Sequence, residues 1–167
     1  MKNIKVPALC LLFLTLWQSP VSAQDALVEM KTMSPETAMK LASASLKSCR
    51  EQGFQVAVAV VDRMGVTQVM LRDRFAGAHT PDTAERKAWT AVSFREDTLA
   101  LSESTTVDSP QSGVRHVTNA LMLGGGVPVE AGGSVVGGVG ISGAPGGPQD
   151  DACARAGIDA ISDDLEF

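Results

Sequence analysis

Apolar positions first recur at helical spacing at Ala38, Leu41, Ala42, Leu46 and Cys49, which predicts a helix over 35–52. Ser34-Pro35-Glu36 supplies an N-cap, a proline for the first helical position and an acid for the first turn. Gly53 stands where a glycine ends a helix. Residues 54–61 are apolar on both alternations except at Gln55, the pattern of a strand covered on two faces. The turn Asp62-Arg63-Met64-Gly65 leads into a second strand over 66–73, so the two form a hairpin. A loop over 75–79 follows.

Thr80-Pro81-Asp82 repeats the helix-start pattern, and Ala84, Ala88, Trp89, Ala91 and Val92 mark one side of a helix ending near Arg95. Residues 98–104 read as a short helix. Pro110 and Gly113 argue for a loop over 109–122, with a turn of helix around 117–121. A strand over 127–130, a turn at 131–133 and a strand over 134–142 make a second hairpin. A loop over 143–149 and a helix over 150–161 close the chain. The order α-β-β-α-α-β-β-α predicts an α+β domain with a mainly antiparallel sheet and helices packed on it.

Ahead of this pattern lies a different one. Lys2 and Lys5 precede an apolar run over 6–17, and Val21-Ser22-Ala23 has the small residues of a cleavage site. The reading is a secretory signal peptide over 1–23, a mature single domain over 24–167, and a periplasmic or secreted location. The run is too short for a membrane span, and no membrane insertion is expected after cleavage. Loss of Lys2 and Lys5 takes the net charge from −5 to −7. An acidic domain with no basic stripe is a poor partner for nucleic acid. Cleavage also removes Cys10 and leaves Cys49 and Cys153 in an oxidising compartment. Two readings stay open: one disulfide, or two separately buried thiols. The mature chain has no Tyr, one Trp and four Phe, so Val, Ala, Leu, Ile and Met must build its core.

Eleven of the sixteen glycines fall between Gly124 and Gly147. Within them Gly138-Val-Gly140-Ile-Ser-Gly143 spells the GxGxxG dinucleotide fingerprint. That motif needs a helix directly after the turn and a second parallel strand further on. Here Pro145 and Pro148 intervene and only 24 residues follow Gly143, so no NAD site is expected. The alternative is a strand with a bare backbone against which a helix, a partner subunit or a flat ligand packs closely.

The run GGGVPVEAGGSVVGGVGISGAPGGPQDDACARAGIDAI resembles the signature of the GlcG/HbpS-type haem-binding family. Ala59-Val-Val-Asp62-Arg-Met-Gly65, with Arg72-Asp73 at its far end, resembles that family's first hairpin. Ala84-Glu-Arg-Lys87-Ala88-Trp-Thr90-Ala91 resembles its central helix. The chain is also similar to the C-terminal domain of PduO-type proteins. The resemblance implies a five-stranded antiparallel sheet flanked by helices, assembly into a homo-oligomer, and, for some members, binding of haem or a corrinoid.

Haem iron takes His, Met, Cys thiolate or Tyr as axial ligand. The candidates are His79, in the loop before a capped helix, and His116, whose neighbour Arg115 could pair with a haem propionate. Each also reads as a plain surface residue. The first helix, where family members can present a histidine, has none. Met70 and Met122 read as core and Met64 as a turn residue, with axial ligation the alternative. Lys87 reads as a salt-bridge partner rather than a pocket cation. Asp150 and Asp151 read as cap and dipole partners of the last helix, with divalent-cation binding the alternative. No HExxH, GxSxG, CxxCH or phosphate-binding loop is present, so the sequence leans toward binding rather than catalysis. The functional expectation is a secreted homo-oligomer that binds a small flat ligand, haem or a related tetrapyrrole. Its alternatives are an enzyme acting on haem or a small organic acid, and a ligand-free assembly protein.

Overall fold

The structure is a computed structural model that describes residues 27–166. The signal-peptide reading lies outside these residues. The chain divides after Met30 into two units; residues 27–30 contain no helix or strand, and every described element belongs to the second unit. Its elements are α1 (Pro35–Glu51), β1 (Ala57–Asp62), β2 (Thr67–Arg72), α2 (Thr80–Phe94), α3 (Thr98–Ser104), a 3-10 turn (Ser112–His116), β3 (Gly126–Ala131), β4 (Ser134–Ser142), α4 (Gly147–Asp159) and the single turn α5 (Ser162–Leu165). The predicted order is observed as far as α4; the closing turn α5 is an additional helix that the sequence reading did not include. The Ser34 hydroxyl caps α1 by accepting from the Thr37 N–H at 3.2 Å.

The sheet is α+β and antiparallel as expected, but among the described residues it has four strands, ordered β2-β1-β4-β3, and not five. The described residues just ahead of α1 do not supply a fifth. Met33 donates one backbone bond to the Val136 carbonyl at 2.9 Å, while its own carbonyl accepts from the Gln68 side chain at 3.1 Å. Pro35 then starts α1, so no ladder develops.

Helices cover both faces. Val56, Val58 and Val60 join Leu41, Leu46, Val139 and Ile141 in the core under α1 and α4. Ala57, Ala59 and Val61 meet Ala84, Ala88 and Val92 of α2 on the other face. This explains the doubly apolar pattern of β1, whose residues 57–61 are fully buried. The Cys49–Cys153 disulfide, with Cα atoms 5.4 Å apart, ties α1 to α4. It resolves the open reading of the two thiols.

The glycine-rich strand is where α2 rests. A Cβ on Gly140 would collide with the Ala84 carbonyl oxygen and stand 2.7 Å from the Ala88 nitrogen. On Gly138 it would stand 2.6 Å from Val92 Cγ2. The first two glycines of GxGxxG are thus the imprint of α2 on a central antiparallel strand, while the third, Gly143, lies against the backbone of Gln55 and Val56. Three details differ from the sequence reading. The helical turn in 109–122 lies at Ser112–His116, ahead of the predicted place. Met70, expected in the core, is on the exposed side of edge strand β2. Finally, α4 begins at Gly147 rather than residue 150, because Pro148 already has the φ of a first helical turn.

Gly140→Ala is expected to cost about 3 kcal/mol or more, because backbone atoms of α2 cannot move aside. Gly113→Ala, where a Cβ would meet open space, is expected to unfold like the wild type. Urea denaturation of both variants checks the contrast.

Candidate functional site

A helix that packs on bare glycines has one side buried along its whole length, and in α2 that side includes Lys87. Its side chain is 1% exposed. The ammonium donates to Asp150 Oδ2 at 2.8 Å and to the Ile141 carbonyl at 2.8 Å. The other carboxylate oxygen, Oδ1, accepts the Ala144 N–H at 3.0 Å. One ion pair therefore joins α2, the end of β4, the following loop and the first turn of α4. Burial pushes the Lys87 ammonium down and the charge of Asp150 opposes that. Burial pushes the Asp150 carboxyl up, against the charge and hydrogen bond of Lys87 and the N–H groups of Ala144 and Gly143.

The pair forms the floor of a cleft of about 650 Å³. Phe54, Phe75, Leu123 and Pro145 supply apolar wall, and His79 stands at the start of α2. Phe75 is 79% exposed. Gln55 also lines the cleft, with its Oε1 buried and without a hydrogen-bond partner. The first turn of α4 borders the cleft with no side-chain cap, so its positive end is left for a ligand there, while Asp150 balances the Lys87 charge. The whole favours a flat, largely apolar ligand that carries an anionic group. A second groove of about 480 Å³ has neither an aromatic residue nor a histidine in its lining.

The loop that carries Phe75 and His79 is anchored at Asp73, whose side chain is 2% exposed. The Arg50 guanidinium grips it through two bonds of 2.7 and 2.9 Å, and the Arg74 N–H adds a third at 2.9 Å. The Arg50 hydrogen bond is the main cause that holds the Asp73 carboxyl at about 2, below its ordinary 3.8; burial opposes it. Arg72 adds a bond from its guanidinium to the Ala76 carbonyl.

Of the residues singled out from sequence, His79 and Lys87 meet in this cleft. His116 and Arg115 do not line it. His116 is exposed on the 3-10 turn, and the Arg115 guanidinium is engaged by the carbonyls of Ser102 and Thr105. Asp150 is neither a cap nor a free carboxylate, since Lys87 holds it. Asp151 pairs with Arg155 at 2.8 Å. Among the described residues no cluster of His, Cys, Asp and Glu could hold a metal ion. No helix among them is long and apolar enough to cross a membrane. Sequence reasoning missed Phe54, Phe75 and the Arg50–Asp73 anchor. A lysine in the Ala84-Ala88-Ala91 face of a helix was the signal that a buried acid must exist elsewhere.

The family described as haem-degrading protein HbpS-like matches residues 33–159. An uncharacterised 15.0 kDa protein from the dhaT–dhaS intergenic region of Citrobacter freundii is 30% identical over 138 residues, which are 81% of this chain and 96% of that protein. A double mutant of HbpS from Streptomyces reticuli superposes with a TM-score of 0.78 at 38% identity, covering 86% of this chain and 97% of that one. The PduOC–haem complex superposes with a TM-score of 0.74 at 30% identity, covering 78% of this chain and 95% of that one.

Two outcomes follow from the buried charges. Lys87→Met leaves Asp150 buried without its cation and is expected to cost about 3–5 kcal/mol in urea denaturation. Asp73 is ionised more readily in the fold than in the open chain. Its stabilisation is therefore complete above about pH 4 and is lost as the pH falls towards about 2. Acid unfolding should be shallower in that window for Asp73→Asn than for the wild type. Superimposable acid limbs would remove Asp73 as the anchor.

Proposed function

Because the chain belongs to the HbpS-like family, we propose that it binds haem in the cleft above the Lys87–Asp150 pair, with His79 as axial ligand. One observation carries the reading: His79, whose ring makes no hydrogen bond among the described residues, lines the same cleft as Phe54 and Phe75, the latter 79% exposed. Aromatic walls suit the faces of a porphyrin ring, and a neutral imidazole is a ligand for its iron. The positive end of α4 suits a propionate. When bound, haem would supply an iron centre open to redox chemistry and to small ligands. The protein's own residues hold the ring, set its orientation and exclude water from one side. The solved haem complex of the PduOC protein, a relative of the same fold, supports the ligand class.

The reading extends to compartment and assembly. A disulfide that ties two core helices favours an oxidising, extracytoplasmic location and agrees with the leader-like start of the chain. Edge strand β2 and its turn leave Met64, Val66 and Met70 exposed, a surface suited to a second copy in a homo-oligomer.

Haem titration monitored at the Soret band tests the site. The wild type and His116→Ala are expected to give the same spectrum of histidine-ligated haem. His79→Ala is expected to lose that spectrum and to bind at least about tenfold more weakly. Loss of the spectrum in His116→Ala alone would move the site to the 3-10 turn. Native mass spectrometry of the same samples reads the number of haems and subunits.

A further inference from the structure

We infer that Gly77 is a positioning residue for the His79 imidazole, an inference that rests on the reading of His79 as the iron ligand. The backbone of this turn is fixed from both ends by threonines. Thr80, 1% exposed, donates to the Gly77 carbonyl from its N–H at 3.1 Å and from its hydroxyl at 2.8 Å. Thr83 donates to the His79 carbonyl from its N–H at 3.1 Å and from its hydroxyl at 3.0 Å. Among the described residues no such bond reaches the His79 ring, which is instead held by packing.

That packing is against a bare Cα. A Cβ built on Gly77 would stand 2.7 Å from His79 Cε1 and 2.9 Å from Nδ1, with Thr80 Cγ2 next at 3.6 Å. The imidazole therefore occupies the space that any other side chain at residue 77 would fill. Its Nδ1–Cε1 edge faces the backbone. Nε2 lies beyond those contacts and is the nitrogen left for iron.

The substitution that tests this is mild for the fold. Gly77 is not among the glycines with a positive φ, so alanine is compatible with its backbone. The atoms in the way belong to the end of a side chain that can rotate. Gly77→Ala should thus leave the protein folded and move the ring. This separates a positioning role from a structural one, and it contrasts with Gly140, where backbone atoms stand in the way.

The experiment uses the full mature protein. In the haem-free state, the two histidines give two Cε1–H proton resonances. Gly77→Ala is expected to shift that of His79 and to leave that of His116 as an internal control. With ferric haem added, the variant is expected to lose or alter the histidine-ligated Soret and EPR signature and to bind at least about tenfold more weakly, with the wild-type unfolding midpoint. An unaltered His79 resonance and an unaltered haem spectrum, alongside a loss in His79→Ala, would overturn the inference and leave the ligand reading standing. An unaltered spectrum in His79→Ala would overturn both. Should Gly77→Ala fail to fold, the wild type answers alone. A nuclear Overhauser effect between His79 Hε1 and the Gly77 Hα protons is expected, and its absence overturns the contact.

Discussion

The Lys87–Asp150 ion pair is the interaction on which the rest of the site depends. Two charges out of water are costly to bury, and only complete hydrogen bonding makes such a pair tolerable. Here the completion comes from four parts of the chain: a lysine of α2, the last carbonyls of β4, the loop after it and the first turn of α4. The pair therefore acts as a fixed point. Removing any one contributor leaves a charge or a donor unsatisfied, so the loop, the strand end and the helix cannot drift independently. The cleft is the space above that point.

Two other constraints bring α2 and α4 to it. Glycines at 138 and 140 let α2 lie on the sheet backbone, close enough for Lys87 to reach the strand end. The Cys49–Cys153 disulfide holds α4 against α1 from the opposite side of the sheet. On the fourth side, Arg50 and Asp73 fasten the loop of Phe75 and His79 to the end of α1. The elements around the cleft are thus held by anchors within the chain.

The sequence was most legible where local rules and tertiary packing agree. Ser34-Pro35 and Gly53 bracket α1, and the turn at Asp62–Gly65 and the glycines at 132 and 133 make both hairpins visible. It was least legible where the signal is non-local. Lys87 could be read as half of a salt bridge, but its partner is 63 residues away. Asp150 looked like a cap because Pro148 hid the true start of α4. The fifth strand came from the family likeness alone, and in its place Met33 gives one backbone bond to β4. The 109–122 segment is polar and lacks a period, so its 3-10 turn left no pattern to find.

The central claim is that haem iron meets His79 in this one cleft. The measurement that bears on it most directly is a crystal structure of the haem-loaded protein with iron located by anomalous scattering. The account predicts a single iron peak bonded to His79 Nε2, with the porphyrin between Phe54 and Phe75. Iron on His116, or haem on a face remote from the Lys87–Asp150 pair, would contradict it.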